Sequence, residues 1–275
     1  ENDSFNSKWF NQELNKIQSE KDDNEFRSMF LKTLKKLLFQ TKTNLQEKLY
    51  TSIDGAVYAG THAVIMDQLM STIHKIVEGR FGDKKTKKSM GLSILAVGGY
   101  GRGELAPHSD IDVLFLHQKD QLSKHQAIIE YILYLLWDLG LKVGHATRTI
   151  DQCLNAAGND ITIMTSLLEI RLVHGDEQLF ENFKTRFSLW LEGQSVSHFV
   201  SEKLRERDTR HNQHGATRYM VEPQIKEGKG GLRDLHTLFW IAKFIYKVNS
   251  VEEIIQRGVL RVSEAKSFAS SQRFL

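Results

Sequence analysis

Apolar residues recur at helical spacing along most of this chain, and a short block of strand-like runs interrupts them. Phe26, Met29, Phe30, Leu34, Leu37 and Leu38 fall three or four positions apart. Val57, Val64, Ile65, Leu69, Ile73, Ile76 and Val77 do the same. That spacing gathers side chains on one face of a helix. Two or three core-facing helices are therefore expected ahead of residue 90. The polar stretch over residues 1–23 reads as a loose or frayed helix.

The period changes near residue 92. Residues 92–97 form a short apolar, partly β-branched run and read as a buried strand. Residues 111–117 read as a second strand and residues 141–147 as a third. Between these last two, residues 123–139 carry Ile128, Ile129, Ile132, Leu133, Leu135 and Leu136 at helical spacing, with Ser123 placed to cap them. Thr149 and Gln152 have the spacing of a capping box opening another helix. Beyond it the pattern predicts helices alone. Asp160 caps residues 161–173 and Gly175 ends them, then come residues 177–191, 197–210, 235–248 and 263–275, with a glycine-bearing loop over 211–231. The two prolines, Pro107 and Pro223, both lie in glycine-bearing segments, so the rest of the chain lacks helix breakers. The expected fold is α+β and predominantly helical: a helical region over residues 1–89, a small mixed-sheet core over 90–156, and an all-α domain over 157–275.

Composition narrows the class. With 275 residues, 40% hydrophobic and 26% charged, the chain can bury one large core or two modest ones. No stretch approaches the ~20 apolar residues of a membrane span, so no membrane association is expected. The opening residues lack a signal-peptide pattern. A single cysteine, Cys153, allows no internal disulfide and points to a reducing cytoplasm; the thiol reads as packing. A net charge of +3 is too small to argue for nucleic acid, and no basic stripe with interleaved aromatics occurs. The Lys84, Lys85, Lys87, Lys88 cluster reads as a solvated loop.

Chemistry concentrates between Gly98 and Leu116. Gly98-Gly99-Tyr100-Gly101-Arg102-Gly103 breaks the first strand, and glycine lets a backbone approach a ligand or take positive φ. Amides exposed in such a turn can cradle phosphate oxygens. Ser109 and then Asp110-Ile111-Asp112 follow at the start of the second strand. Residues two apart on a strand share a face, so Asp110 and Asp112 project together while Ile111 and Val113 go inward. Two neighbouring carboxylates repel unless a cation sits with them, and hard oxygen donors favour Mg²⁺. The pattern suits a nucleoside triphosphate with magnesium.

These residues resemble the Gly-Gly, spacer, Asp-x-Asp signature of the DNA polymerase β nucleotidyltransferase superfamily, and the wording from Gly98 to Leu116 is similar to its protein-PII uridylyltransferase branch. Glu222-Pro223-Gln224-Ile225-Lys226-Glu227-Gly228-Lys229-Gly230-Gly231-Leu232-Arg233-Asp234 resembles a second block of that branch. Trp137 to His145, Arg148-Thr149, and Thr165 to Leu172 resemble it too. The likeness runs over about residues 90–250 and is loose before them. It implies transfer of a uridylyl group from UTP to a tyrosine of the PII nitrogen-signalling protein, with pyrophosphate released by two-metal, in-line displacement. Asp110 and Asp112 are then catalytic metal ligands, and Gly98, Gly99, Arg102, Gly103 and Ser109 hold the triphosphate. Lys226, Lys229 and Arg233, beside a helix start, form a second anion-friendly element expected to close over the nucleotide or the protein substrate.

Some positions stay open. The superfamily commonly adds a third carboxylate from a later strand, and residues 141–147 hold none; Asp151, Asp160 and Glu169 are candidates. His145 reads as a sheet histidine, with a base or phosphate contact as the alternative. Asp234 reads as a helix cap, and His211 with His214 as a solvated pair. The branch usually continues into a phosphohydrolase module with a His-Asp pair and then ACT domains. None of the eleven histidines precedes an aspartate, and the last helix has no stop signal, so those modules and the uridylyl-removing activity are expected to lie outside this chain. A nucleotidyltransferase with another acceptor, or a nucleotide-binding regulatory module without turnover, are the competing readings.

Overall fold

The computed structural model describes residues 5, 7–82, 91–119, 121–213, 224–248 and 251–274. They divide into two compact units, Glu1–Cys153 with Glu169–Arg186 and Leu154–Leu168 with Phe187–Leu275. Lys84 to Lys88, His214, Glu222 and Pro223 lie outside the described residues.

The first unit opens with α1 (Lys8–Ser19), α2 (Asp23–Thr51) and α3 (Gly55–Phe81). Helix α1 is better formed than its polar composition implies. Ser7 caps it by accepting the Phe10 amide, and Phe10 and Ile17 are both fully buried. Seven residues apart, these two side chains share one face, and the partly buried Trp9 and Leu14 pack against the same core. Asp22 and Asp54 cap α2 and α3.

Strand β1 (Leu92–Ala96) leads into a single helical turn, α4 (Gly98–Gly101). Then come β2 (Ile111–His117), α5 (Leu122–Asp138), β3 (Val143–Arg148), α6 (Ile150–Asn159), α7 (Ile161–Leu168) and β4 (Arg171–Gly175). The sheet order is β3-β2-β1-β4. β1 runs antiparallel to β2 and β4, and β2 runs parallel to β3. The mixed sheet in a largely helical chain is the architecture expected from the sequence. Leu92, Ile94, Ala96, Ile111, Val113 and Phe115 join one core with apolar residues of α3 and α5. On that side His74 of α3 stacks edge-on against His174 of β4 at 5.1 Å.

Strand β4 corrects the helix expected over residues 161–173, inside a stretch read as all-helical. α7 stops at Leu168, and Arg171–Gly175 pairs with β1 instead. Gly175 is not a helix stop. Its φ is +121°, and a Cβ there would come within 2.4 Å of the Leu92 carbonyl oxygen. A five-residue strand carries little propensity of its own; the open edge of β1 decides its state. Ser123 is not a cap either, since α5 begins at Leu122 behind Gln121 with no side-chain cap bond.

After β4 follow α8 (Glu177–Glu192), α9 (Val196–Gln213), α10 (Leu232–Tyr246), α11 (Val251–Gln256) and α12 (Val262–Phe274). Thr149 and Gln152 make the reciprocal capping box at 3.3 and 2.8 Å, and Asp160 accepts the Thr162 amide at 2.7 Å. In the second unit Phe199 of α9 stacks on Phe244 of α10 at 4.0 Å. Lys243 donates to the Leu168 carbonyl that ends α7. No described helix is long and apolar enough to cross a membrane.

Candidate functional site

The glycine turn closes on itself through four backbone bonds. The amides of Gly101, Arg102, Gly103 and Glu104 donate to the carbonyls of Val97, Gly98, Tyr100 and Gly99 at 2.9–3.1 Å. Gly98 and Gly99 stand at the head of this turn, where helical amides have no partner within the helix. Gly98 has φ +60° and Gly103 φ +76°, so both need glycine for conformation.

Asp112 lies on β2 between two buried neighbours, Ile111 and Val113, so its side chain projects from the opposite face of the sheet. Its backbone carbonyl takes the Val97 amide at 3.1 Å, which ties the strand to the entry of the turn. A Cβ placed on Gly98 would come 3.3 Å from Asp112 Oδ2. Gly144, the β3 residue paired with Asp112, is tighter: a Cβ there would come 2.4 Å from Asp112 Oδ1. The carboxylate therefore rests against bare backbone from the turn on one side and from β3 on the other. Asp110 is exposed just before β2, and Ser109 is exposed beside it, its amide bonded to the Ala106 carbonyl. Asp110 and Asp112 are hard oxygen donors, which fits a Mg²⁺ ion that takes one or two carboxylates and completes its shell with phosphates and water.

Gly144 was missed as a functional position from the sequence. Its signal is a glycine in the interior of a strand, which often marks a close approach. His145 pairs with Val113 and so lies on the face away from Asp112, with its ring 5.9 Å from Trp137. This argues against a base or phosphate contact for it.

Arg102 adjoins the turn. Its side chain is 13% exposed, with Nε donating to Glu104 at 2.9 Å and 3.9 Å from Glu169 Oε2. Its Nη2 lies 3.7 Å from where a Cβ on Gly99 would be. Of the candidates for a third carboxylate, Glu169 adjoins the turn; the Glu169 carbonyl oxygen would lie 2.1 Å from a Cβ on Gly101. Asp151 is paired with Arg186 at 2.6 Å, and Asp160 caps α7. Among the described residues no group of three or more His, Cys, Asp or Glu is arranged to hold a metal.

The second motif lies in the second unit. Backbone bonds from Gly228 to Gln224 and from Leu232 to Ile225 fold it into a turn ahead of α10. Asp234 caps from within the helix, accepting the Gly230 amide at 2.8 Å. It also accepts from Arg210 Nη2 and lies 3.0 Å from His211 Nε2. Burial alone would raise the Asp234 carboxyl, but the Gly230 amide, His211 and Arg210 outweigh it and hold it below the usual carboxylate range. His211 is thus bound to a carboxylate rather than solvated. Arg233 pairs with Glu227 at 3.2 Å, while Lys226 and Lys229 are exposed. The structure therefore gathers Gly98, Gly99, Arg102, Gly103, Ser109, Asp110 and Asp112 in one unit, and Lys226, Lys229 and Arg233 in the other.

The segments that hold the two motifs fall within matches to known families. Residues 77–167 match the Nucleotidyltransferase domain family, and residues 198–275 match the GlnD PII-uridylyltransferase family. The bifunctional uridylyltransferase/uridylyl-removing enzymes of two Caulobacter vibrioides strains are 42% identical over 252 residues, 91% of this chain and 27% of theirs. That of Novosphingobium aromaticivorans is 46% identical over 222 residues, 80% of this chain and 24% of its own. The chain thus spans about a quarter of the length of the curated relatives it matches.

Proposed function

This chain is a relative of the N-terminal part of the bifunctional uridylyltransferase/uridylyl-removing enzymes, and on that premise we propose that it transfers a uridylyl group from UTP to a tyrosine hydroxyl of the PII protein. The observation that carries this reading is the Asp112 carboxylate set against the bare backbone of Gly98 and Gly144. Such a placement sets a carboxylate beside the head of the glycine turn.

The tyrosine oxygen attacks the α-phosphorus of UTP, the bond from that phosphorus to the bridging oxygen breaks, and pyrophosphate leaves with its electron pair. The hydroxyl proton passes to water. Gly98 and Gly99 donate amides to the triphosphate, Gly103 lets the turn close, and Ser109 borders the space beside Asp110. Arg102, with its Nη2 beside Gly99, would offer its planar fork to phosphate oxygens. Asp110 and Asp112 would hold Mg²⁺, which neutralises charge on the triphosphate and eases ionisation of a hydroxyl whose ordinary pKa is ~10. Within the second unit, Lys226, Lys229 and Arg233 would add cationic charge for an anionic ligand. A buried lone thiol, Cys153, supports residence in a reducing cytoplasm.

The test mixes the protein with PII, Mg²⁺ and each ribonucleoside triphosphate in turn, and weighs the PII product by mass spectrometry. A uridylyl increment with UTP, lost in Asp112→Ala, is the expected result. An adenylyl increment would move the reading to another nucleotidyl transfer, and UTP binding without any increment would leave a binding module. Full activity in Asp112→Ala would refute the metal-ligand role.

A further inference from the structure

We infer that Asp67, on α3, is a positioning residue: its carboxylate clamps Tyr100 and Arg171 and so sets where the glycine turn lies. The inference builds on the nucleotide reading above but draws on different residues. Tyr100 follows Gly98-Gly99 directly, and its hydroxyl donates to Asp67 Oδ1 at 2.7 Å. Arg171, at the start of β4, donates to Asp67 Oδ2 at 2.6 Å and to Oδ1 at 3.1 Å. The same guanidinium donates to the Tyr100 carbonyl at 3.2 Å and lies 5.5 Å from the Tyr100 ring centroid. Both the backbone and the side chain of one turn residue are thereby fixed by a single carboxylate–arginine pair.

The geometry favours positioning over a plain surface ion pair. A two-point fork on a carboxylate fixes orientation as well as distance. Tyr100 is 1% exposed, so its ring cannot swing away without opening the core. Burial first, then the neighbouring Asp67 charge, raises its phenol well above its ordinary value and keeps it a hydrogen-bond donor. The other flank of the turn is closed as well, because Gly101 packs on the Glu169 carbonyl two residues before Arg171. Two segments far from it in the chain, Asp67 of α3 and Glu169 to Arg171, thus grip the turn. Gly98 and Gly99, two glycines in succession, would otherwise sample a wide range of backbone angles.

Asp67→Asn removes the charge that holds Arg171, and Tyr100→Phe removes the hydroxyl while sparing the ion pair. Backbone hydrogen exchange and Mg·UTP affinity are measured for each variant and for the double. The amides of Gly101, Arg102, Gly103 and Glu104, which close the turn, should exchange about tenfold faster in either variant, with β1 and β2 unchanged. Mg·UTP affinity should fall about tenfold in either, and the double variant should lose little more than the weaker single, as coupled residues do. Unchanged exchange in the turn, or faster exchange spread evenly over the first unit, would overturn the clamp. Wild-type protein that binds no Mg·UTP would sink the nucleotide reading instead, and the exchange measurement would still decide the clamp.

Discussion

In the first unit a glycine turn sits between two strands with Asp112 against it; in the second, Gly228, Gly230 and Gly231 precede α10 with Asp234 in its first turn. Both segments combine glycines, a carboxylate and cations, yet their partners differ. Asp234 is taken up by the Gly230 amide, Arg210 and His211, and Arg233 is taken up by Glu227. Asp112 packs against the backbone of Gly98 in the turn and of Gly144 in β3. Glycine and charge together therefore do not specify a reactive site. What distinguishes the two is packing: a backbone amide, an arginine and a histidine hold Asp234, whereas Asp112 packs on the backbone of two glycines.

The sharpest way to break this contrast is to remove each carboxylate. Asp112→Ala should lower transfer by about a thousandfold or more, with unfolding by denaturant little changed. Asp234→Ala should do the reverse in kind: it takes the carboxylate from His211 and leaves Arg210 only the longer pair with Glu227, costing on the order of 2–3 kcal/mol of stability in the same unfolding measurement. Equal stability losses in both would erase the distinction. Gly144→Val tests the packing of Asp112 itself. A Cβ 2.4 Å from Asp112 Oδ1 must displace the carboxylate, so transfer should fall about a hundredfold while β3 remains paired, as circular dichroism would report.

The units should also part company in acid. Burial holds His74 down to about 4 from 6.5, partly offset by Glu78, and His174 and His125 press the same way as burial. Burial likewise lowers His62, His125 and His174. As pH falls, the unfolded chain takes up protons first, so this contribution is complete above pH 6.5 and declines toward pH 4 for His74. Asp234 is depressed, so its contribution is complete above about pH 4 and is lost only below it. Hydrogen exchange followed between pH 7 and 4 should show the first unit loosening before the second. The reverse order would contradict the burial argument. The smallest effect belongs to Lys226→Ala and Lys229→Ala. Both side chains are exposed, so nucleotide affinity should change by no more than about threefold, with the loss shrinking as salt rises.

Much of the fold was legible because its signals are local. Periodic apolar stripes predict α2, α3 and α5, and short β-branched runs predict β1 and β2. The caps at Thr149 and Asp160 are contacts within three residues of sequence. Helix α1 was harder, because its two buried anchors are outnumbered by polar residues.

The linear order of residues thus determined the glycine turn, the pair of aspartates two positions apart, and the alternation that turns Asp112 from the core. These follow from backbone geometry over a few residues. Tertiary structure alone decided that Arg171–Gly175 is a strand, that Gly144 clears space for Asp112, that Asp67 grips Tyr100, and that His211 belongs to Asp234. Each of these depends on segments many residues apart meeting at one place, and a contact of that kind leaves no period or cap in the sequence to read.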